Sequence, residues 1–154
     1  MKQRREFIKK SIFGAGGLTI GAMSFSAKSY GSIIGANDRF RMAVCGVNGR
    51  GKSHIGNFSK LENVEIAYLV DPDKNVLNER VQSLRSGDTK SNRVKGEADV
   101  RRVLEMKDID AISVATPNSW HSLMVVWAAQ NGKHCYVEKP ASHDVHEGRI
   151  ALAA

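Results

Sequence analysis

The segment that most constrains this chain is "FRMAVCGVNGRGKSH", residues 40–54, in which a short apolar run breaks into a glycine-rich loop. Ile55, Phe58 and Leu61 then recur at helical spacing, so the segment predicts strand, tight turn and helix. The loop satisfies two patterns at once. From Gly46 to Ser53 it reads G-x-x-x-x-G-K-S, the loop that holds ATP or GTP. From Gly46 through Asn48 to Gly51 it reads G-x-N-x-x-G, one residue short of the dinucleotide fingerprint. Both seat a phosphate on backbone N–H groups at a helix N-terminus.

The next strand bears on the choice. "NVEIAYLVD", 63–71, is a buried apolar run closed by Asp71, 20 residues after Gly51. In a dinucleotide unit an acid at that place accepts from the ribose hydroxyls. Gly46 would make the tight turn and Gly51 would let helix and strand pack closely. Asn48, in place of the middle glycine, is expected to use its tolerance of positive φ, with Gly49 relieving the remaining crowding. The phosphate-loop alternative needs Lys52 on a β/γ-phosphate and Ser53 on Mg²⁺, with Asp71 as the magnesium-binding acid. The loop by itself leaves both open.

Further along, strands and helices alternate. "PDKNVLNERVQSLRS" predicts a helix starting at Pro72, with Val76, Leu77, Val81 and Leu84 inward. "GDTKSNRVKGE" is a polar loop with one short strand near Val94, and "ADVRRVLEMK" a helix. "DAISVATPN", 110–118, is a third strand. "SWHSLMVVWAAQNGK" is a helix capped by Asn131-Gly132, and "HCYVEKP", 134–140, is another strand. "DVHEGRIALAA" opens a helix with a capping box from Asp144 to Glu147. The alternation predicts an α/β fold, a Rossmann-type doubly wound parallel sheet with helices on both faces.

The chain has 154 residues and a formal charge of +7. Residues 1–36 carry six Lys/Arg against one acid, so the remaining 118 residues are close to balanced at +2. No basic face is left to track a nucleic-acid backbone. The charge belongs instead to a start with the form of an address. Arg4 and Arg5 precede Phe7, and the weakly apolar run "IFGAGGLTIGAMSFSA" follows. This resembles a twin-arginine (Tat) export signal, with Gln3 and Ile8 at positions where other residues are commoner. The expectation is a signal and linker over 1–36, a folded domain over 37–154, and export through the Tat translocase to the periplasm, or retention at the membrane by an uncleaved signal. Cys45 and Cys135 are too few for a disulfide scaffold and read as buried small hydrophobes.

Two later motifs arbitrate. "ATPNSWH", 115–121, and "VEKPAS", 137–142, each follow a buried strand, where the ends of parallel strands line a ligand crevice. Lys139, beside a proline that fixes the turn, is a candidate for acid/base work. "GVNGRG", "LVDPD", "ATPNSWH" and "VEKP", in that order, resemble the Gfo/Idh/MocA family (glucose–fructose oxidoreductase, inositol dehydrogenase and relatives). The resemblance runs from about Arg41 to Ala154.

That resemblance implies an N-terminal NAD(P)-binding Rossmann domain followed by a second α/β domain, with substrate between them. It implies that Gly46, Asn48, Gly49, Arg50 and Gly51 cradle the pyrophosphate and that Asp71 binds the adenosine ribose, favouring NAD over NADP. Thr116, Pro117, Asn118 and His121 match the segment beside the nicotinamide half. Glu138 and Lys139 match the E-K-P motif, whose lysine binds substrate and assists proton transfer. Hydride would pass between the cofactor and a sugar, polyol or cyclitol, in a full-length homo-oligomer. Some relatives use NAD transiently to cleave glycosidic bonds, but they tend to depart from E-K-P. A non-catalytic NAD-binding fragment is a further alternative, and a phosphate-loop NTPase the least favoured. Trp120 and Trp127 read as core. His134, His143 and His146 read as structural or exposed, and no metal site is argued. The second domain is absent from the 154 residues. The chain is therefore expected to bind NAD without turning over substrate, as a piece of a longer oxidoreductase.

Overall fold

The computed structural model describes residues 39–87, 91 and 93–154. The expected leader, 1–36, lies outside them. The elements run β1 (Phe40–Cys45), α1 (Arg50–Phe58), β2 (Val64–Val70), α2 (Lys74–Gly87), β3 (Lys95–Glu97), α3 (Val100–Leu104), β4 (Ala111–Val114), a 3₁₀ turn (Asn118–Trp120), α4 (His121–Gln130), β5 (His134–Val137) and α5 (Val145–Ala153). The strands form one parallel sheet in the order β3-β2-β1-β4-β5. β1 sits at the centre because its last four residues are buried on both faces, as are all four of β4.

Alternate residues of β1 feed two separate cores. Met42 and Val44 pack with Leu77, Val81 and Leu84 of α2. Ala43 and Cys45 pack with Val103 of α3 and Met124 and Ala128 of α4. β2 departs from strict alternation. Met42 pairs with Ile66 and Ala43 with Tyr68, so Ala67 is an extra residue in the ladder. The bulge turns Ala67 and Tyr68 to the same core and restores the parity that closes the strand at Val70.

Two local starts differ from expectation. α2 begins at Lys74, not at Pro72. Asp73 caps it, its Oδ1 accepting from the N–H of Asn75 at 2.8 Å and of Val76 at 3.3 Å. At α5, Asp144 accepts from the N–H of Glu147 at 2.8 Å, but Glu147 reaches back to the N–H of His143 instead of that of Asp144. The carboxylate also accepts from the Ser122 hydroxyl, which ties α5 to α4.

Candidate cofactor site

The predicted residues converge at the carboxyl ends of β1, β2, β4 and β5. Gly46 leaves β1 with φ +78°, and a Cβ there would lie 2.7 Å from the Ala115 carbonyl oxygen. A Cβ on Gly51 would fall onto the Gly46 carbonyl oxygen, so α1 approaches β1 as closely as backbone allows. These are the first and third glycine roles of a dinucleotide loop. The middle of the loop differs from expectation. Every described non-glycine residue has negative φ, so Asn48 uses no left-handed freedom. A Cβ on Gly49 would meet open space, so Gly49 relieves no crowding and leaves the rim of the loop clear. Gly49 is also the N-cap of α1, with no side chain capping the helix. The first N–H groups of α1 are therefore open to an anion.

Asp71 stands 9% exposed at the end of β2. Its Oδ2 accepts from the Val47 N–H and its Oδ1 from the Asp73 N–H, each at 3.0 Å. The carboxylate thus fixes the loop it serves, and each oxygen keeps a lone pair for a ribose hydroxyl. Beside it a cavity of about 520 Å³ opens between the ends of β2, β3 and β4. Pro72, Asp99, Thr116, Pro117, Trp120 and Trp127 are among its walls. Trp120, expected in the core, is instead 47% exposed, because the 3₁₀ turn carries it out over the cavity. Polar residues on both sides of it, rather than an apolar period, were the available signal. Asp99 was also missed. It caps α3 by accepting from the Arg101 N–H at 3.0 Å and pairs with the Arg101 guanidinium, which holds its carboxyl down at about 2. Arg101 in turn lies 5.9 Å from the Trp127 ring centre.

Asn118 and Lys139 are exposed at the ends of adjoining strands, and Thr116 is half-buried. His121 is buried at 2%, with Nε2 2.8 Å from the Thr116 carbonyl and Nδ1 2.7 Å from that of Pro140. Its ring spans the two turns that carry Thr116 and Lys139 and is not in the cavity wall. Glu138 points the other way, toward α1. Its Oε1 accepts from Arg50 Nε–H at 2.8 Å and lies 2.8 Å from His54 Nε2. The Arg50 guanidinium, and then His54, hold its carboxyl at about 2 instead of the ordinary 4.5. Lys52 and Ser53 are exposed on α1.

His143 joins Asp144 and Glu147 with ligand atoms within 4.8 Å of one another, a grouping the sequence did not suggest. The hydrogen bonds that start α5 account for the placing of both carboxylates.

Residues 40–154 match an oxidoreductase family described as having an NAD-binding Rossmann fold, Gfo/Idh/MocA. The chain is 30% identical, over 94% of its length, to a glycosyl hydrolase family 109 protein of Shewanella pealeana, and 32% identical over 94% to one of Solibacter usitatus. It spans only about a third of those proteins, 35% and 34%. Among solved structures it resembles a myo-inositol 2-dehydrogenase from Lactobacillus plantarum, with TM-score 0.66 and 22% identity, over 75% of this chain and 32% of that one. It also resembles the WlbA dehydrogenase from Bordetella pertussis in complex with NADH and UDP-GlcNAcA, with TM-score 0.66 and 20% identity, over 76% and 32%. These two likenesses show the fold. The chain belongs to the Gfo/Idh/MocA oxidoreductase family and comprises its NAD-binding domain, so the phosphate-loop reading falls.

Proposed function

We propose, with that membership as premise, that the full-length protein is an exported NAD-dependent enzyme acting on a sugar, polyol or cyclitol. The observation that carries this is the joint placing of the Gly46–Gly51 loop, Asp71 and Lys139 beyond the carboxyl ends of strands of one parallel sheet. The loop and the open start of α1 would take the pyrophosphate, Asp71 the ribose, and the wall containing Trp120 and Trp127 the adenine. When bound, NAD supplies a hydride acceptor for a carbinol carbon. Lys139, exposed and a strand's width from the Thr116–Asn118 turn, would hold the substrate hydroxyl and take its proton. Asp71 would repel a 2′-phosphate, which favours NAD over NADP. Titration of the chain with NAD⁺, NADP⁺ and Mg-ATP tests the site. NAD⁺ is expected to bind, more weakly in Asp71→Ala and unchanged in Lys52→Ala. Tight Mg-ATP binding that is lost in Lys52→Ala would refute it.

A second reading has its own support. The curated relatives at about 30% identity are named glycosyl hydrolases. In that reading the cofactor is oxidant and then reductant within one turnover, so a glycosidic bond breaks without net redox change. The E-K-P at 138–140 counts against it. Full-length protein given NAD⁺ and a nitrophenyl glycoside separates the two. Nitrophenol without NADH accumulation marks the hydrolase, and NADH accumulation with a free sugar marks the dehydrogenase.

Export through the Tat translocase, to the periplasm or to a membrane-retained form, belongs to the same proposal, as does a homo-oligomer. Export is supported by Arg4-Arg5 ahead of a weakly apolar run. Changing both arginines to lysine should leave the protein in the cytoplasm, and unchanged export would overturn the assignment.

A further inference from the structure

Behind the cofactor loop runs a column of polar side chains that the reaction does not use. Ser113, fully buried on β4, places Oγ 2.6 Å from Nδ1 of His54 on α1. His54, 4% exposed, places Nε2 2.8 Å from Glu138 Oε1. Arg50 Nε–H donates to that same oxygen at 2.8 Å. A carboxylate only accepts, so Nε2 carries the hydrogen, and in the neutral imidazole the Ser113 hydroxyl then donates to Nδ1. A serine, a histidine and a carboxylate in a row have the outline of a hydrolytic triad. Ser113 has no exposed surface, so no substrate can reach it, and the row is a strut.

The strut ends on an arginine at the mouth of the site. Arg50 is the first residue of α1, 64% exposed along its side chain, directly after the uncapped Gly49. A guanidinium has five N–H donors in a fixed fork. Glu138 takes the one on Nε, which leaves the terminal edge for a phosphate. His54 is itself held. Phe58 and Tyr136 contact its ring edge-on at 6.0 and 5.5 Å between centres.

We propose that Glu138 and His54 are positioning residues for the cofactor, fixing one edge of Arg50 so that the other meets the pyrophosphate at the start of α1. The inference rests on the NAD-binding reading of this loop. It moves Glu138 from contact with the cofactor to action through Arg50. It also explains why both donors meet on one oxygen. A single well-placed acceptor defines the arginine's orientation, and His54 defines the acceptor's.

The shared oxygen makes a clean test in the full-length protein, with NAD⁺ affinity and thermal unfolding measured together. Glu138→Gln keeps an acceptor and drops the charge, whereas Glu138→Ala removes both. Gln is expected to bind NAD⁺ within about threefold of wild type, and Ala about tenfold more weakly. Arg50→Lys keeps the charge without the fork and should also lose about tenfold. His54→Phe keeps the ring packing and should lose affinity, while His54→Gln, whose amide can donate to Glu138, should regain most of it. If Gln and Ala at 138 both tighten binding, the carboxylate is only a counter-charge and the proposal is wrong. If Ala lowers the melting temperature at unchanged affinity, the column is scaffold and the proposal is equally wrong. Wild type that binds no NAD⁺ would instead overturn the cofactor reading.

Discussion

Glu138 concentrates what single residues decide here. Arg50 and His54 lower its carboxyl to about 2 from the ordinary 4.5. A carboxyl lowered in the folded state stabilises the fold fully above its unfolded value. That contribution fades as pH falls from about 4.5 toward 2. Glu138→Gln should therefore melt below wild type at neutral pH, and the two curves should converge as pH falls through that window. Asp99 titrates over the same range, held by Arg101, but it is common to both proteins and cancels in the difference. A gap between wild type and variant that stays constant down to pH 2.5 would remove the ion pair from the account. Much of the site at this scale was legible in the sequence. The turn at Gly46, the close packing at Gly51 and the place of Asp71 at the end of β2 follow from spacing, because these positions sit at fixed offsets in such a loop. His54 was not legible. Its partners are 59 and 84 residues away in the chain, and nothing local distinguishes it from a histidine packed on a helix. Trp120 was misjudged because an aromatic at the start of an apolar helix looks like core until the turn before it is known.

At the scale of elements, the junction of α4 and β5 sets where Lys139 arrives. Gly132 has φ +65°, the Lys133 N–H donates to the Ala128 carbonyl at 2.8 Å, and the Gly132 N–H to that of Ala129 at 2.9 Å. That pair of bonds ends α4 and turns the chain directly into β5. The Lys133 ammonium also donates to the carbonyls of Met106 and Ile109, fastening the turn to the end of α3 and the start of β4. A Cβ on Gly132 would touch nothing, so Gly132→Ala isolates the cost of the left-handed backbone. That cost should come to about 1 kcal/mol in urea unfolding, with NAD⁺ affinity expected to stay unchanged. No loss of stability would mean that the turn relaxes to another form. The Asn-Gly pair showed this cap in the sequence, and the alternation of strands and helices showed the sheet. The bulge at Ala67 and the cap at Asp73 were not visible. The first depends on pairing with β1, and the second on the Asp71 carboxylate folding onto the Asp73 N–H, a turn that Pro72 does not force.

For the molecule as a whole, the sheet order decides the chemistry of the two thiols. Cys45 lies at the end of β1 and Cys135 in β5, with β4 between them. Two strand spacings are about 9.5 Å, beyond the roughly 7 Å that a disulfide can span between Cα atoms. Their ladder partners differ as well, Val114 for Cys45 and Ile112 for Cys135, so the two are also offset along the sheet. Export to an oxidising compartment would therefore leave both as thiols. Burial, and then the neighbouring Cys135, push Cys45 far above the ordinary thiol range, and burial pushes Cys135 up to about 11. Only the thiolate attacks, so at about pH 8 on the order of one Cys135 in a thousand is reactive even when reached. An aromatic disulfide reagent should label neither cysteine promptly in the folded chain and both at once in concentrated guanidinium. The slow labelling that remains should be ordered. β5 is the outermost described strand on its side and opens locally, whereas Cys45 is sealed at the centre and waits for global unfolding. Peptide mapping over time should find Cys135 modified well before Cys45. NAD⁺ should slow Cys45 in proportion to the stability it adds, since a ligand of the folded state suppresses global opening. Equal rates at the two positions would mean that the sheet opens as one unit, and a Cys45–Cys135 disulfide found by mass spectrometry would contradict the strand order itself.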